Sequence, residues 1–315
     1  MSESILSTTR FLDCWATQLQ VGKDIAATMA SIFSELNEIR LSVSTESWKQ
    51  FAVTTFRAHP LMDLLLQDPF TRRAFTKPRG YPGDAVTFDF IYTQEDGAPA
   101  PSCEEATKLG KQVHDYIMQV EGCQAVRARR GVIRQKLHDL AAQRLRPHVL
   151  SVGCGHLREA VQCAAFLEGR FGRYVGLDQD TASLAVVARN FGDFGVETIA
   201  ASVRDLVKGD IALTGFDFVY ATGLYDYLPT AVAQKLSAVL FEMLNPGGCL
   251  LFANFLPHMS GRGYLEACLD WWLIYRSTSE MLQISEALPE RDIESLSLFA
   301  EAYQNFLFLE VQRKG

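Results

Sequence analysis

Several features that would settle a class at once are missing from this chain. Its seven cysteines, Cys14, Cys103, Cys123, Cys154, Cys163, Cys249 and Cys268, form no CxxC pair and show no even spacing, so no disulfide framework is written in them. No charged-then-apolar leader opens the chain, and with the cysteine pattern this leads us to expect a reduced, cytoplasmic setting. The six histidines are scattered, with no His–Asp pair or metal-ligating cluster at useful spacing, so no metal is expected. Basic residues are outnumbered, 30 Lys and Arg against 37 Asp and Glu. The resulting net charge of −7 speaks against nucleic acid as a partner, because phosphate neutralisation needs clustered cations. The densest basic run, Arg127, Arg129, Arg130, Arg134 and Lys136, falls in a helical pattern and reads as a solvated face. Apolar runs such as Leu269 to Tyr275 are too short to span a bilayer, so no membrane partner is expected either.

What is present is a core-forming composition: 315 residues, 48% hydrophobic and 21% charged, enough for one large or two ordinary domains. From about residue 5 to 140 the pattern is helical. Ile25, Met29, Ile32, Phe33, Leu36 and Ile39 recur at helical spacing, as do Trp48, Phe51, Ala52 and Phe56, behind plausible starts at Lys23-Asp24 and Ser44-Thr45-Glu46-Ser47. One stretch inside this half stands out, TKPRGYPGDAVTFDFIY (76–92), followed by a polar, proline-containing segment from Glu95 to Ser102. At Pro147 the pattern changes. HVLSVG, RYVGLD, ETIAAS, FDFVYATG and CLLFANF are short strand-like runs separated by helical ones, which predicts a parallel sheet with helices on both faces. We therefore expect an all-helical N-terminal cap over 1–145 and a Rossmann-like α/β domain over 146–315. That domain carries a helical insertion at 256–290, which includes GYLEACLDWWLIYR, and a last edge strand in NFLFLEVQR.

In such sheets ligands sit beyond the carboxyl ends of the strands, where strand order reverses. The first strand–helix turn holds Gly153, Cys154 and Gly155, whose glycines permit a tight turn and whose following helix would offer amide donors. Asp178 closes the second strand beside Gln179, where a carboxylate can accept from both ribose hydroxyls. Val203, Arg204 and Asp205 follow the third strand, where an adenine could stack on Val203 and bond to Asp205, although Asp205 also reads as a helix cap. A dinucleotide site would want GxGxxG, and His156 and Arg158 do not provide that close approach. A ligand with adenosine and no pyrophosphate fits, which points to S-adenosylmethionine.

From Pro147 onward the chain resembles class I S-adenosylmethionine-dependent methyltransferases, in VLSVGCGHLREA, YVGLDQD, FDFVYATGLYDYL and LNPGGCLLFANF. A narrower resemblance, carried by KPRGYPGDAVTFDFIY, SVGCGHLRE, ATGLYDYLPT and DWWLIYR, is to a bacterial group named for 3-hydroxypalmitate methyl ester biosynthesis. Azetidine-2-carboxylate synthases, which close S-adenosylmethionine on itself, share this size and layout. The first resemblance implies the cofactor set Gly153, Cys154, Gly155, Asp178, Gln179, Val203, Arg204, Asp205 and Thr222. It also implies an acid at the head of the first motif, where this chain has Ser151; Glu159 is the candidate to replace it.

Three readings stay open. One is methyl transfer to an apolar small molecule, with Asp226 as base and aromatic surface from Tyr81, Tyr225, Tyr227, Trp271, Trp272 and Tyr275. Another is cyclisation of the cofactor, with Asn254 and a tyrosine hydroxyl holding the neutral amine. The third is a sensor without turnover. In the 76–92 turn, Arg79 would pair with the ligand's carboxylate and Tyr81 would offer a ring or hydroxyl, while Asp84 would serve the amine or cap the next helix. A second copy of the chain is left open as a partner.

Overall fold

The alternation read after Pro147 is present strand for strand in the computed structural model, which describes residues 3–96, 101 and 103–315. Most of the expected proline-containing segment, 97–100 and 102, lies outside the described residues. Strands β1 (His148–Val152), β2 (Arg173–Asp178), β3 (Val196–Ala200), β4 (Phe216–Ala221) and β5 (Leu244–Phe255) run parallel. With β6 (Ile293–Ala300) and β7 (Phe306–Arg313) they make one sheet in the order β3-β2-β1-β4-β5-β7-β6. The order reverses between β1 and β4, so the carboxyl ends of these two strands flank the natural ligand crevice. Fully buried Leu150, Val175, Val219, Leu250 and Leu309 line the sheet. They pack in one apolar cluster with Leu236 and Leu240 of the helix at Thr230–Glu242.

The chain forms two compact units. The sheet unit comprises Ala125–Pro257 and Leu273–Gly315; the helical unit comprises the residues up to Gln124 together with His258–Trp272. The long helix expected at the end of the N-terminal half thus belongs mostly to the sheet unit, and the first part of the insertion belongs to the helical one.

Within the helical unit are α1 (Glu3–Val21), α2 (Ile25–Ser42), α3 (Thr45–Phe51), α4 (Leu61–Leu65), α5 (Pro69–Thr76), α6 (Ala85–Asp96) and α7 (Lys108–Gln119), with the first turn of α8 (Glu121–Gln143). Asp24 caps α2 through Ala27 N–H and Ser44 caps α3 through Ser47 N–H. Ile25, Met29, Ile32, Leu36 and Ile39 are buried, as are Trp48, Phe51, Ala52 and Phe56, while Phe33 is only half-buried. The TKPRGYPGD turn is compact for a visible reason. Lys77 and Gly80 take left-handed conformations (φ 49° and 88°), and fully buried Asp84 accepts from Thr87 N–H at 2.8 Å to cap α6. Both Asp84 oxygens also pair with Arg73, at 3.0 and 2.6 Å. Asp84 is therefore a cap, which settles one of its two expected roles.

From α8 onward the chain departs from expectation in four places. The helix predicted straight after the glycine turn is replaced by successive turns over 153–162, and only Ala164–Leu167 (α9) is helical. Left-handed Leu157 and Gln162 (φ 52° and 60°) stop helix propagation, and fully buried Leu157 is held in that conformation by the core. The expected edge strand, β7, lies inside the sheet, antiparallel to both β5 and β6. Its first four residues are buried without interruption, as a central strand requires, whereas β6 is largely exposed. The insertion is helical only at α13 (Arg262–Cys268) and α14 (Thr278–Ser285), and the DWWLIYR segment between them is non-helical from left-handed Asp270 onward. Last, the basic run on α8 is no solvated face: Arg127, Arg129 and Arg130 are 8%, 5% and 3% exposed.

Candidate functional site

Elements that follow the carboxyl ends of β1, β2 and β4 assemble the first part of the site. Gly153 and Gly155 both sit at positive φ (66° and 51°), so the glycine turn is available to these residues and strained for others. Gly153 N–H and Cys154 N–H donate to the Leu177 carbonyl, at 2.8 and 3.1 Å, which fastens the turn to β2. Asp178 completes the fastening. Its Oδ2 accepts from Gly155 N–H at 2.8 Å and its Oδ1 from Asp180 N–H at 2.9 Å. Each oxygen keeps a further lone pair for a ligand hydroxyl. Burial raises the Asp178 pKa, and those amide bonds act against the rise. Cys154 is buried beside Gly176, and burial pushes its thiol pKa well up, so it is an apolar wall and no nucleophile.

Glu159 is placed by the turns after β1. It is half-buried, and its Oε1 accepts from Tyr220 Oη of β4 at 2.5 Å and from Ser151 Oγ of β1 at 3.3 Å. Tyr174 Oη of β2 meets Tyr220 Oη at 2.8 Å, so four polar groups from three neighbouring strands and a turn form one chain. Burial raises the Glu159 pKa, against the bonds from Tyr220 and Ser151 and the charge of Arg129. Glu159 thus brings a carboxyl group next to Ser151, from a turn where a helix was expected.

Beyond β3 the expected adenine residues divide. Val203 is half-buried against the core cluster, at the start of the helix Val203–Lys208. Arg204 is exposed, and so is Gln179 beside Asp178. Asp205 is the third-position partner of a capping box: its Oδ2 accepts from Ser202 N–H at 2.8 Å and Ser202 Oγ at 2.7 Å, bonds that lower its pKa. Asp205 is a helix cap.

The expected catalytic residues after β4 and β5 need correction. Tyr225 is fully buried, stacks on Phe252 at 4.1 Å and bonds Ser237 Oγ at 2.8 Å; it is core. Asn254 has both amide ends engaged. Its Nδ2 donates to the Phe255 and Ile274 carbonyls at 3.0 and 2.8 Å, and its Oδ1 accepts from Arg276 at 2.5 Å. Arg276, itself 1% exposed, also donates to the Tyr225 and Leu228 carbonyls, so it knits the ends of β4 and β5 together. Asp226 keeps its candidacy. Its Oδ1 accepts from Phe255 N–H at 2.7 Å, and burial pushes its pKa up to about 7 against the charges of Arg129 and Arg276. Apolar surface flanks it in Tyr227 and Ile274, 36% and 37% exposed, and Ile274 N–H donates to the Asp226 carbonyl.

Arg79 and Tyr81 are half-buried residues of the helical unit. The tryptophan pair belongs there too. Trp271 packs edge-on against Phe88, and Trp272 donates to Asp270 at 2.7 Å under Lys49. Arg57 and Lys77 pair with the same Asp270.

Arg129 is the site residue that the sequence reading missed. Its Nη1 donates to the Thr222 carbonyl at 2.7 Å, just past β4, and its guanidinium lies 4.6 Å over the Phe306 ring. A signal existed: Ala125, Val126, Ile133 and Leu137 are buried on α8, and positions 129 and 130 fall on that same stripe. Among the described residues no group of His, Cys, Asp and Glu is placed to hold a metal ion.

Residues 149–248, from β1 into β5, match the family described as a methyltransferase domain. The cofactor that goes with that domain is S-adenosylmethionine. The residues present fit it: an amide-fastened glycine turn, with the carboxyl groups of Asp178 and Glu159 at the ends of β2 and β1. In structure the chain is similar to a possible exported protein of Bordetella parapertussis, at 18% identity, with 88% of this chain and 99% of that one covered. The TM-score of 0.61 shows a shared fold. It is also similar to the magnesium protoporphyrin IX methyltransferase ChlM of Synechocystis PCC 6803 with bound SAH, at 13% identity over 73% of this chain and 100% of that one, TM-score 0.47. In sequence it is similar to the uncharacterized protein RP028 of Rickettsia prowazekii (strain Madrid E), 24% identical over 162 residues. That match takes in 50% of this chain and 64% of the relative, so the chain spans less than two thirds of the relative's length. No described helix is long and apolar enough to cross a membrane.

Proposed function

We propose that the chain is an S-adenosylmethionine-dependent methyltransferase whose acceptor is an apolar small molecule of specialised or lipid-signal metabolism. The observation that carries the reading is the glycine turn locked to Asp178 through Gly155 N–H. When bound there, the cofactor supplies an activated methyl group, and the protein has only to hold it, align an acceptor and keep water out. Asp178 takes the ribose, and Glu159, set by Tyr220 and Ser151, takes the ammonium group. Tyr227 and Ile274 offer the acceptor an apolar rest beside Asp226. With Oδ1 committed to Phe255 N–H, Oδ2 of Asp226 is the atom that takes the acceptor's proton, and a pKa of about 7 suits that task. A reduced, cytoplasmic setting belongs with this reading; the seven cysteines are free thiols.

Cyclisation of the cofactor loses much of what favoured it. Asn254 and the Tyr225 hydroxyl are both engaged in the core, and Glu159 restores the carboxylate that would keep the amine protonated. The narrower group resemblance remains the best guide to the acceptor. Incubation of the purified protein with S-adenosylmethionine, alone and with long-chain hydroxy acids, tests the reading. S-adenosylhomocysteine formed only with an acceptor supports it; methylthioadenosine formed without one overturns it.

A further inference from the structure

The hydroxyls behind Glu159 are placed by strand register. Ser151 of β1 is paired with Gly176 of β2 and with Tyr220 of β4, and two residues earlier Val149 is paired with Tyr174 and Phe218. Side chains two apart along a strand share a face, so these positions all stand on one side of the sheet. Ser151 and Gly176 are small, and the face they leave open takes the phenols of Tyr174 and Tyr220, whose hydroxyls meet at 2.8 Å. Both rings are buried, Tyr174 edge-on to Phe166 and Phe171 and Tyr220 stacked on Phe218, which fixes where the hydroxyls stand. The order of protons follows. An ionised carboxyl only accepts, so Tyr220 gives its single proton to Glu159 Oε1 at 2.5 Å and takes the proton of Tyr174. Ser151 Oγ is a second donor to the same oxygen, at 3.3 Å. Hydroxyls hold a carboxylate without cancelling its charge, as a bonded arginine would. With Oε1 serving both of them, Oε2 is the oxygen with capacity to spare for a cation.

We propose that Tyr220, backed by Tyr174, is the positioning residue of Glu159 and makes this subsite selective for ligands that carry an α-ammonium group. The proposal rests on the methyltransferase reading, in which Glu159 takes the ammonium end of the cofactor. Tyr220 acts directly on the carboxylate. Tyr174 acts through it: a phenol hydroxyl turns about its C–O bond, and accepting from Tyr174 keeps the Tyr220 proton on Glu159. A carboxylate held in this way has little side-chain freedom left to lose when a cation binds, which favours the cation over a neutral group at the same place. Ser151 belongs to the same arrangement. Where the methyltransferase resemblance implies an acid, the smaller serine leaves room for the tyrosine chain, and the acid comes from the turn at Glu159 instead.

The test is titration calorimetry with S-adenosylhomocysteine and with its deamino analogue, two compounds that differ only in the α-ammonium group. Wild type should bind S-adenosylhomocysteine at least about tenfold more tightly than the analogue, in line with a charge-assisted bond. Tyr220→Phe should weaken S-adenosylhomocysteine about fivefold or more and the analogue less than about twofold, the effect of one hydrogen bond lost behind the carboxylate. Tyr174→Phe should weaken S-adenosylhomocysteine about threefold with the analogue again little changed. Added to Glu159→Gln, Tyr220→Phe should cause no further loss of selectivity, because it acts through that carboxylate. A packing role would weaken the two ligands alike. Equal losses for both ligands, or no loss in a folded Tyr220→Phe protein, overturn the proposal, as does a further loss of selectivity in the double variant. Should Tyr220→Phe fail to fold, Tyr174→Phe decides by the same rule. A wild type that binds both ligands equally overturns the proposal and leaves the methyltransferase reading standing; one that binds neither overturns both.

Discussion

Two strand-end regions of the sheet unit are built in opposite ways. At the ends of β1 and β2 the loop is held by backbone amides: Gly153 and Cys154 N–H on the Leu177 carbonyl, and Gly155 N–H on Asp178. At the ends of β4 and β5 the work falls to side chains, with Arg276, Asn254, Asp226 and Tyr225 satisfying one another and the nearby backbone. Amide fastening leaves carboxylate lone pairs for a ligand, while the side-chain lock uses its polar groups up except for Oδ2 of Asp226. The difference teaches which polar residues at a strand end are available for chemistry. Being placed there is not enough; they must have hydrogen-bonding capacity left over.

The lock should break hardest. Arg276→Ala leaves three buried acceptors unmet and should cost about 3–5 kcal/mol in denaturant unfolding. If the cost is under 1 kcal/mol, the β4–β5 end is not held as described.

Asp226→Asn sharpens the comparison through pH. Below about pH 3 the carboxyl is protonated in both folded and unfolded chains. As pH rises the unfolded chain ionises first, so wild-type stability falls until the folded carboxyl ionises near 7. The whole loss is on the order of 4 kcal/mol, and the variant should lack it. Parallel stability curves for the two proteins between pH 4 and 7 would contradict the assignment. The variant should also lose most turnover while binding the cofactor within about twofold of wild type, a split read from kcat and Kd together.

Smaller effects separate core from chemistry. Tyr225→Phe should lower stability by about 1 kcal/mol and leave kcat alone, since its hydroxyl meets only Ser237. A large fall in kcat at unchanged stability would restore a catalytic role. Smallest of all, Asp205→Ala should fray its helix start and leave cofactor affinity within about twofold, because its carboxylate caps through Ser202. A tenfold loss of affinity would put Asp205 back on the adenine.

The same contrast explains what could be read from the sequence. Local rules sufficed where a residue's role is set by its neighbours along the chain: the five parallel strands, the glycine turn, Asp178 at a strand end, the caps at Asp24 and Ser44. They failed where long-range packing decides. Tyr225 and Asp226 are adjacent, yet the short turn at 225–227 sends one ring into the core and leaves the other residue on the β5 backbone. Glu159 reaches Ser151 only because left-handed Leu157 ends the helix before it begins. The arginines of α8 looked solvated by composition, and only the packing of β4 and β7 shows Arg129 to be enclosed. Strand β6 was not expected, although Ser295, Leu296, Ser297 and Leu298 alternate polar with apolar in this largely exposed strand.

The central claim, that the amide-fastened loop at β1 and β2 takes S-adenosylmethionine through Asp178, is tested most directly by titration calorimetry of that compound into wild type and Asp178→Ala. The account predicts one site per chain in the wild type and at least about tenfold weaker binding in the variant, the loss of a charge-assisted bond to the ligand together with the Gly155 anchor. Equal affinity in the two proteins, with the variant folded, would contradict it.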